Sequence, residues 1–282
     1  MLLSDPAVLQ EHPALISDSA NPRRVQRALE DLQLGLRRWR LPVALAQLDI
    51  RNRYRGSVLG PFWLTLSTAV TFVALGLLYS TLFKMDLHEY LPFLVVSMIL
   101  WNVFNQVVAE ACTSLIAAEG IIRQMPLPYT IHALRCMVRN AVVAAHNLPL
   151  ILVVFIILGT YPGIGVLLAL PGMLLFAVNS FAVVIFLGMI CARFRDIGPI
   201  VGTVMQLAFF ISPVIWKPEL LHEHQKWLVL NPFYDLMEVV RGPLLNAPPP
   251  LVWLAAVLIT LATCGLSFIF FVRFRGRIAF WV

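Results

Sequence analysis

The sequence predicts an all-α membrane protein with six transmembrane helices, and three observations carry that prediction. Of the 282 residues, 60% are hydrophobic and only 13% are charged, whereas a soluble domain carries about a quarter charged residues. The apolar residues come in long blocks of roughly the 20 residues that cross a bilayer. The basic residues gather between those blocks on one side of the implied membrane. A formal net charge of +6 would suit nucleic acid in a soluble protein. Beside apolar spans, Lys and Arg instead set topology and touch anionic headgroups, so nucleic acid is not expected as a partner.

Residues 1–22 are polar, carry Pro6, Pro13 and Pro22, and read as a cytoplasmic tail. Asp5, Glu11, Asp18, Glu30 and Asp31, with no early apolar core, do not make a secretory signal peptide. An amphipathic stretch follows over 23–58. Val25, Leu29, Leu32, Leu36 and Trp39 recur at helical spacing, with Arg23, Arg24, Arg27, Arg37 and Arg38 off that line. After Pro42 the face continues through Val43, Gln47, Ile50 and Tyr54. A basic helix of this kind, carrying a Trp, is expected to lie in the interface plane.

The spans fall within 59–273, leaving 274–282 as a cytoplasmic C-terminus. They are expected at Pro61 to Phe83, Leu91 to about Ala109, about Ala141 to Leu158, Ile164 to Ala192, Ile197 to Trp216, and Leu251 to Val272. Beyond span two, Glu110 to Glu119 reads as the same helix emerging into water. Pro149, Pro171 and Pro213 fall inside spans, where neighbouring helices satisfy the freed carbonyls. Seventeen Lys and Arg lie before span one, in the two-to-three and four-to-five loops and at the C-terminus, against four on the other side. The positive side is the inside, so both termini are expected in the cytoplasm. Residues 217–250 mix Leu220, Leu221, Trp227, Leu228, Phe233 and Met237 with Lys217, Glu219, Glu223, Asp235 and Glu238. Asn231-Pro232 divides them into two short outer helices, either interfacial or re-entrant.

The residues of an engine are missing. No GxxxxGK[ST] loop is present, which excludes ATP hydrolysis by that route. Spans one, four and six hold no Asp, Glu, Lys or Arg, which argues against a self-powered secondary transporter. His222 and His224 stand at i, i+2, off a common helix face, and read as a polar turn rather than a metal site. His146 lies inside span three, either functional or hydrogen-bonded in packing. Asp49 and Asp196 stand near Arg51 and Arg53, and near Arg193 and Arg195, as ion-paired interface carboxylates. Gly198 and Gly202 form a GxxxG that permits close helix approach. Cys112, Cys136, Cys191 and Cys264 make no CxxC and read as small buried residues, so no metal site is expected. Phe62, Trp63, Trp101, Phe104, Phe209, Phe210, Trp216, Trp227, Phe233 and Tyr234 fall near span ends or in the outer segment. They form either an interfacial belt or a path on which sugar rings stack.

Several short motifs in order resemble one family. They are RYRGSVLGPFW over 53–63, IRQMPLP over 122–128, RFRDI over 193–197, FISPVIW over 210–216, NPF over 231–233 and Arg241-Gly242. This arrangement, over roughly 36–273, is similar to the permease subunits of ABC type 2 polysaccharide exporters, which carry O-antigen, capsular polysaccharide or teichoic acid. The resemblance implies a non-catalytic permease in the bacterial inner membrane. It implies a homodimer bound to two ABC ATPase subunits, which hold the ATP and Mg. It also implies a channel between protomers for a polyprenyl-pyrophosphate-linked polysaccharide, most simply O-antigen.

The resemblance assigns roles as well. The 36–55 helix resembles a gate at the cytoplasmic entrance, where Arg37, Arg38, Arg40, Arg51, Arg53, Tyr54 and Arg55 would meet the head group or membrane lipids. The loop of about 110–128 resembles a coupling element for the ATPase, through Glu119, Ile122, Arg123, Gln124, Met125 and Pro126. Residues of about 217–246 resemble outer gate helices. Phe62, Trp63, Trp101, Phe104, Phe209, Phe210, Trp216, Phe233 and Tyr234 are candidates for the glycan path. A permease for a drug or other lipid, and a membrane enzyme of lipid-linked sugar metabolism, are the competing readings. The second would require a cluster of acids or His at a membrane face.

Overall fold

The computed structural model describes residues 23–56, 62–245 and 250–282. The α-helices are α1 (Arg24–Arg37), α2 (Arg40–Arg53), α3 (Phe62–Phe83), α4 (Leu87–Thr113), α5 (Glu119–Gln124), α6 (Thr130–Leu158), α7 (Ala169–Arg193), α8 (Ile197–Ile211), α9 (Pro232–Leu244), α10 (Pro250–Phe274) and α11 (Ile278–Trp281). Among the described residues, five helical stretches are long and apolar enough to cross a membrane: Thr65–Phe83, Leu87–Thr113, Thr130–Leu158, Ile164–Arg193 and Leu251–Trp281.

Helix α4 is the axis of the bundle. Helices α3, α6, α7, α8 and α9 pack on it, and Tyr90, Leu94, Val95, Val96 and Ile99 are buried along it. The Asp86 side chain sets its start by accepting from the His88 amide at 3.0 Å, which satisfies one of the unpaired N–H groups of a first turn. Helices α3 and α8 stand at the rim. Val70, Leu77, Leu78 and Leu82 on the first, and Ile200, Val204, Leu207 and Phe210 on the second, stay exposed. Such apolar faces require lipid or another chain over them.

The chain departs from the expected spans at three places. Helix α6 starts at Thr130, well before the expected Ala141, because the arginines that ended the apolar run are covered by carboxylates from other helices. Span two does not run on to Glu119 as one rod. Helix α4 stops at Thr113, where the Thr113 and Ser114 hydroxyls donate back to the Glu110 and Ala111 carbonyls at 3.2 and 2.8 Å and compete with the next turn. Span five is helical only to Ile211, since Ser212-Pro213 turns extended. In α1 the buried face is Ala28, Asp31 and Gly35; Val25, Leu29, Leu36 and Trp39 are exposed.

In the outer segment the second short helix, α9, is drawn into the helix bundle. Asn231 caps α9 by accepting from the Phe233 and Tyr234 amides at 3.0 and 3.3 Å, with Pro232 in the first turn. The helix then lies against α4, α7 and α10. It comes so close to α7 that a Cβ on Gly172 would collide with the Val239 carbonyl. Arg241 is 1% exposed. Its guanidinium pairs with Glu238 through two nitrogens. It donates to the Ser97 hydroxyl at 2.8 Å and to the Pro213 carbonyl at 2.6 Å, and it covers the Phe93 ring at 4.4 Å. Ser97 sits about 15 Å along α4 from Leu87, at the ~1.5 Å rise of a helix. Arg241 therefore ties α9, α4 and the end of α8 together well below the helix mouths.

Removing one member of a buried ion pair costs about 3–5 kcal/mol, because the other charge is left uncompensated. Arg241→Met is expected to lower the thermal unfolding temperature of the purified protein markedly. Adding Glu238→Gln is expected to recover part of that loss. A double variant no more stable than Arg241→Met would contradict this account.

Candidate functional site

One end of the bundle holds the C-terminus of α4, the N-terminus of α6 and most of the arginines. Helix α2 lies along α6 there. Asp49 of α2 pairs with Arg135, and with Arg139 at 2.7 Å. Glu110 of α4 accepts from Arg139 at 2.7 and 2.9 Å, from Asn140 at 2.7 Å and from Arg53 at 3.0 Å. Three arginines and two carboxylates thus clasp α2 to α4 and α6. Burial pushes the Asp49 carboxyl up, but Arg135 and Arg139 outweigh it and hold it below the usual range. The pairing of Asp49 with its chain neighbours Arg51 and Arg53 gives way to Arg135 and Arg139, since α2 turns the carboxylate toward α6. Asp196 is exposed and caps α8 without a side-chain bond.

Beyond α4 the chain forms a short 3₁₀ turn, Ile116–Ala118, and then α5. Ile122 packs with Leu115, Met189, Ile278 and Val282. Arg123 pairs with Glu119 at 2.9 Å and donates to the Val282 main-chain oxygen at 2.7 Å. Gln124, Met125 and Pro126 form the exposed tip. Of the expected coupling residues, Glu119, Ile122 and Arg123 thus build the base, and the other three face outward. Asp31, buried beneath, accepts from the Tyr129 and Thr130 amides and from Arg275.

The expected gate residues divide similarly. Arg37, Arg38, Arg40, Arg51, Arg53 and Arg55 are exposed. Tyr54 is half-buried, beside Thr65, Val142, His146 and Asn147. His146 itself is exposed and hydrogen-bonded to the Val142 carbonyl at 2.7 Å.

The aromatic candidates separate into core and surface. Trp101 packs on Phe209 and Phe233 at 5.6 and 5.7 Å, and Phe104 packs on Phe233 at 5.2 Å. Trp101, Phe104 and Tyr234 are buried, so these rings cement α4 to α8 and α9. Phe210 and Trp216 instead line an open groove of about 570 Å³ with Ile211, Trp227 and Leu230. The side chains of Phe62 and Trp63 lie outside the described residues. Gly198 packs near Cys112, while Gly202 has open space beside it.

Sequence reasoning missed Asp31, Glu110, Arg135, Arg139, Ser97, Glu238 and Arg241. Three signals were available: Glu110 directly after the uncharged run 91–109, Arg135 and Arg139 at i, i+4, and Glu238 and Arg241 at i, i+3. Nothing singled out Asp31 or Ser97.

Long apolar helices, a clasped basic end and a short helix buried in the bundle at the other end define a multi-pass membrane protein with no catalytic constellation assembled among the described residues. Residues 42–245 match the ABC-2 type transporter family, and the chain belongs to that family. It is 26% identical over 228 residues to the O-antigen export system permease protein RfbA of Myxococcus xanthus, covering 78% of this chain and 88% of that one. To the protein of the same name from Klebsiella pneumoniae it is 21% identical over 211 residues, covering 73% and 80%. The protein is therefore a multi-pass inner-membrane transport subunit, and its family implies an ABC ATPase partner.

The clasp carries a pH dependence. A carboxyl held low in the folded state contributes stability above its unfolded value, about 3.9 for Asp. That contribution disappears as pH falls through the lowered value. Protection of the α2 amides, measured against the intrinsic exchange rate at each pH, is expected to fall as pH drops through the acid side of the carboxylate range. Asp49→Asn is expected to show fast exchange at every pH; exchange equal to wild type at neutral pH would refute the clasp.

Proposed function

We propose that this chain is the permease of an ATP-driven exporter that moves a lipid-linked polysaccharide, O-antigen in kind, from cytoplasm to periplasm. The observation that carries the substrate class is the similarity to O-antigen export permeases along most of both chains. The chain itself is non-catalytic in this reading, with ATP and Mg held by two copies of a partner ATPase.

The geometry supports six crossings with both termini in the cytoplasm. Gly198, at the start of α8, stands beside Cys112, and the Ile215 carbonyl accepts from the Tyr90 hydroxyl at 2.6 Å. Cys112 and Tyr90 lie about 33 Å apart along α4 by helix rise, which matches the ~30 Å hydrocarbon core. Helix α8 alone supplies about 22 Å, and the turns of Ser212–Ile215 carry the chain on to the level of Tyr90. The clasped arginine-rich end then faces the cytoplasm, in keeping with the positive-inside rule.

Two protomers would enclose the glycan path between their exposed rim helices α3 and α8. Phe210, Trp216 and Trp227 offer sugar rings a surface there, and Trp101, Phe104 and Tyr234 support it from behind. Arg37, Arg38, Arg40, Arg51 and Arg55 are exposed on the surface, where they would attract a pyrophosphate head group, with Tyr54 at the turn toward α3. The tip Gln124, Met125 and Pro126 is the part of the coupling segment offered to the ATPase.

Met125 is 50% exposed and carries no part of the base beneath it. Met125→Glu is expected to abolish co-purification of the partner ATPase while leaving membrane insertion intact. Retention of the ATPase, with undiminished surface glycan in a complemented export-deficient strain, would count against the reading.

A further inference from the structure

We propose that the Asp31 carboxylate is the joint that passes movement of the coupling tip to α1 and α10. The inference rests on the reading of residues 124–126 as the ATPase-facing tip.

Asp31 is 1% exposed and lies on the face of α1 between Ala28 and Gly35. Its Oδ1 accepts from the Thr130 amide at 3.0 Å and the Thr130 hydroxyl at 2.7 Å. Its Oδ2 accepts from the Tyr129 amide at 3.2 Å and from Arg275 Nε at 2.8 Å. Helix α6 has no side-chain cap of its own at Tyr129. The donors that an N-cap residue would ordinarily satisfy are satisfied by a carboxylate from a helix almost a hundred positions earlier in the chain. Contact between these two helices is direct: a Cβ on Gly35 would stand 2.7 Å from Thr130 Cβ.

The tip is therefore held at both roots by chain outside it. At the entry, Arg123 reaches Val282 at 2.7 Å, α5 touches α11, and Ile122 packs against the apolar cluster that includes Ile278 and Val282. At the exit, Asp31 holds Tyr129 and Thr130, and Arg275 covers the Tyr129 ring at 5.8 Å. Residues 275–282 touch both roots and continue directly from α10. A load on the tip cannot stay local. A buried carboxylate with four donors has no water to exchange for them, and losing any one leaves a desolvated group unpaired. The first turn of α6, α1 and the end of α10 must move together or break that set.

A local cap and a joint are separable by experiment. In the purified permease–ATPase complex, Asp31→Asn keeps the side chain's shape and drops its charge. The expected result is normal co-purification and normal basal ATP hydrolysis, with glycan exported per ATP reduced about tenfold, within the range of inter-site coupling energies. Arg275→Gln is expected to do the same, and Arg275→Lys to restore most of the coupling. Export per ATP unchanged in both Asp31→Asn and Arg275→Gln would overturn the joint.

Where Asp31→Asn fails to accumulate in the membrane, Thr130→Val, which removes only the hydroxyl bond, is expected to show a smaller loss in the same direction; no loss would count against the joint. Failure of the wild-type chain to bind an ATPase would instead sink the reading it rests on. Amide exchange in the permease alone then decides the joint. Asp31→Asn is expected to speed exchange in α1, in the first turn of α6 and at the end of α10. A response confined to α6 would reduce Asp31 to a cap.

Discussion

A bilayer offers no water to a buried donor or acceptor, and the rest of this structure follows from that constraint. Every charge that enters the bundle must find its counter-charge within the protein. The chain meets the requirement with three compact polar clusters. Asp31 collects Tyr129, Thr130 and Arg275; Asp49 and Glu110 collect Arg53, Arg135 and Arg139; Arg241 collects Glu238, Ser97 and the Pro213 carbonyl. Each cluster joins at least two elements far apart in sequence. The apolar helices fill space between them, and the clusters set which helix stands beside which.

The two ends use this device differently. At the basic end, two clusters fasten surface elements, α1 and α2, to the bundle. The fastened parts present their arginines outward and leave the tip 124–126 free. At the other end a single cluster draws a short helix inward between α4, α7 and α10. Asp235 on that helix is buried with neither carboxyl oxygen bonded. Burial, with Glu238 close by, pushes its carboxyl up to about 7. The neutral form is favoured there, since an ionised carboxylate would lie unpaired next to another acid.

Much of the design was legible from residue order. Uninterrupted apolar blocks announced the long helices, and arginine asymmetry announced which end is basic. Motif order announced the family. The residues of the expected coupling and gate segments divide between half-buried and exposed positions in ways that order alone does not reveal. Arg123, an expected coupling residue, is exposed and also bonds to Val282. Trp101 and Phe104, offered as path residues, are buried and pack with Phe209 and Phe233, two further residues of the same set. Periodicity identifies a helix face, but it does not say whether another helix covers that face.

By itself the sequence determined the solvent of this protein, the helical class, the distribution of charge and the family, because each is a sum over neighbouring residues. Tertiary structure alone decided where α6 begins, that α9 is buried against α4, α7 and α10, and that Asp31 caps a helix nearly a hundred positions away. Each of those depends on a polar group whose partner is distant in the chain. An arginine reads as the end of a span until a carboxylate from another helix is placed against it.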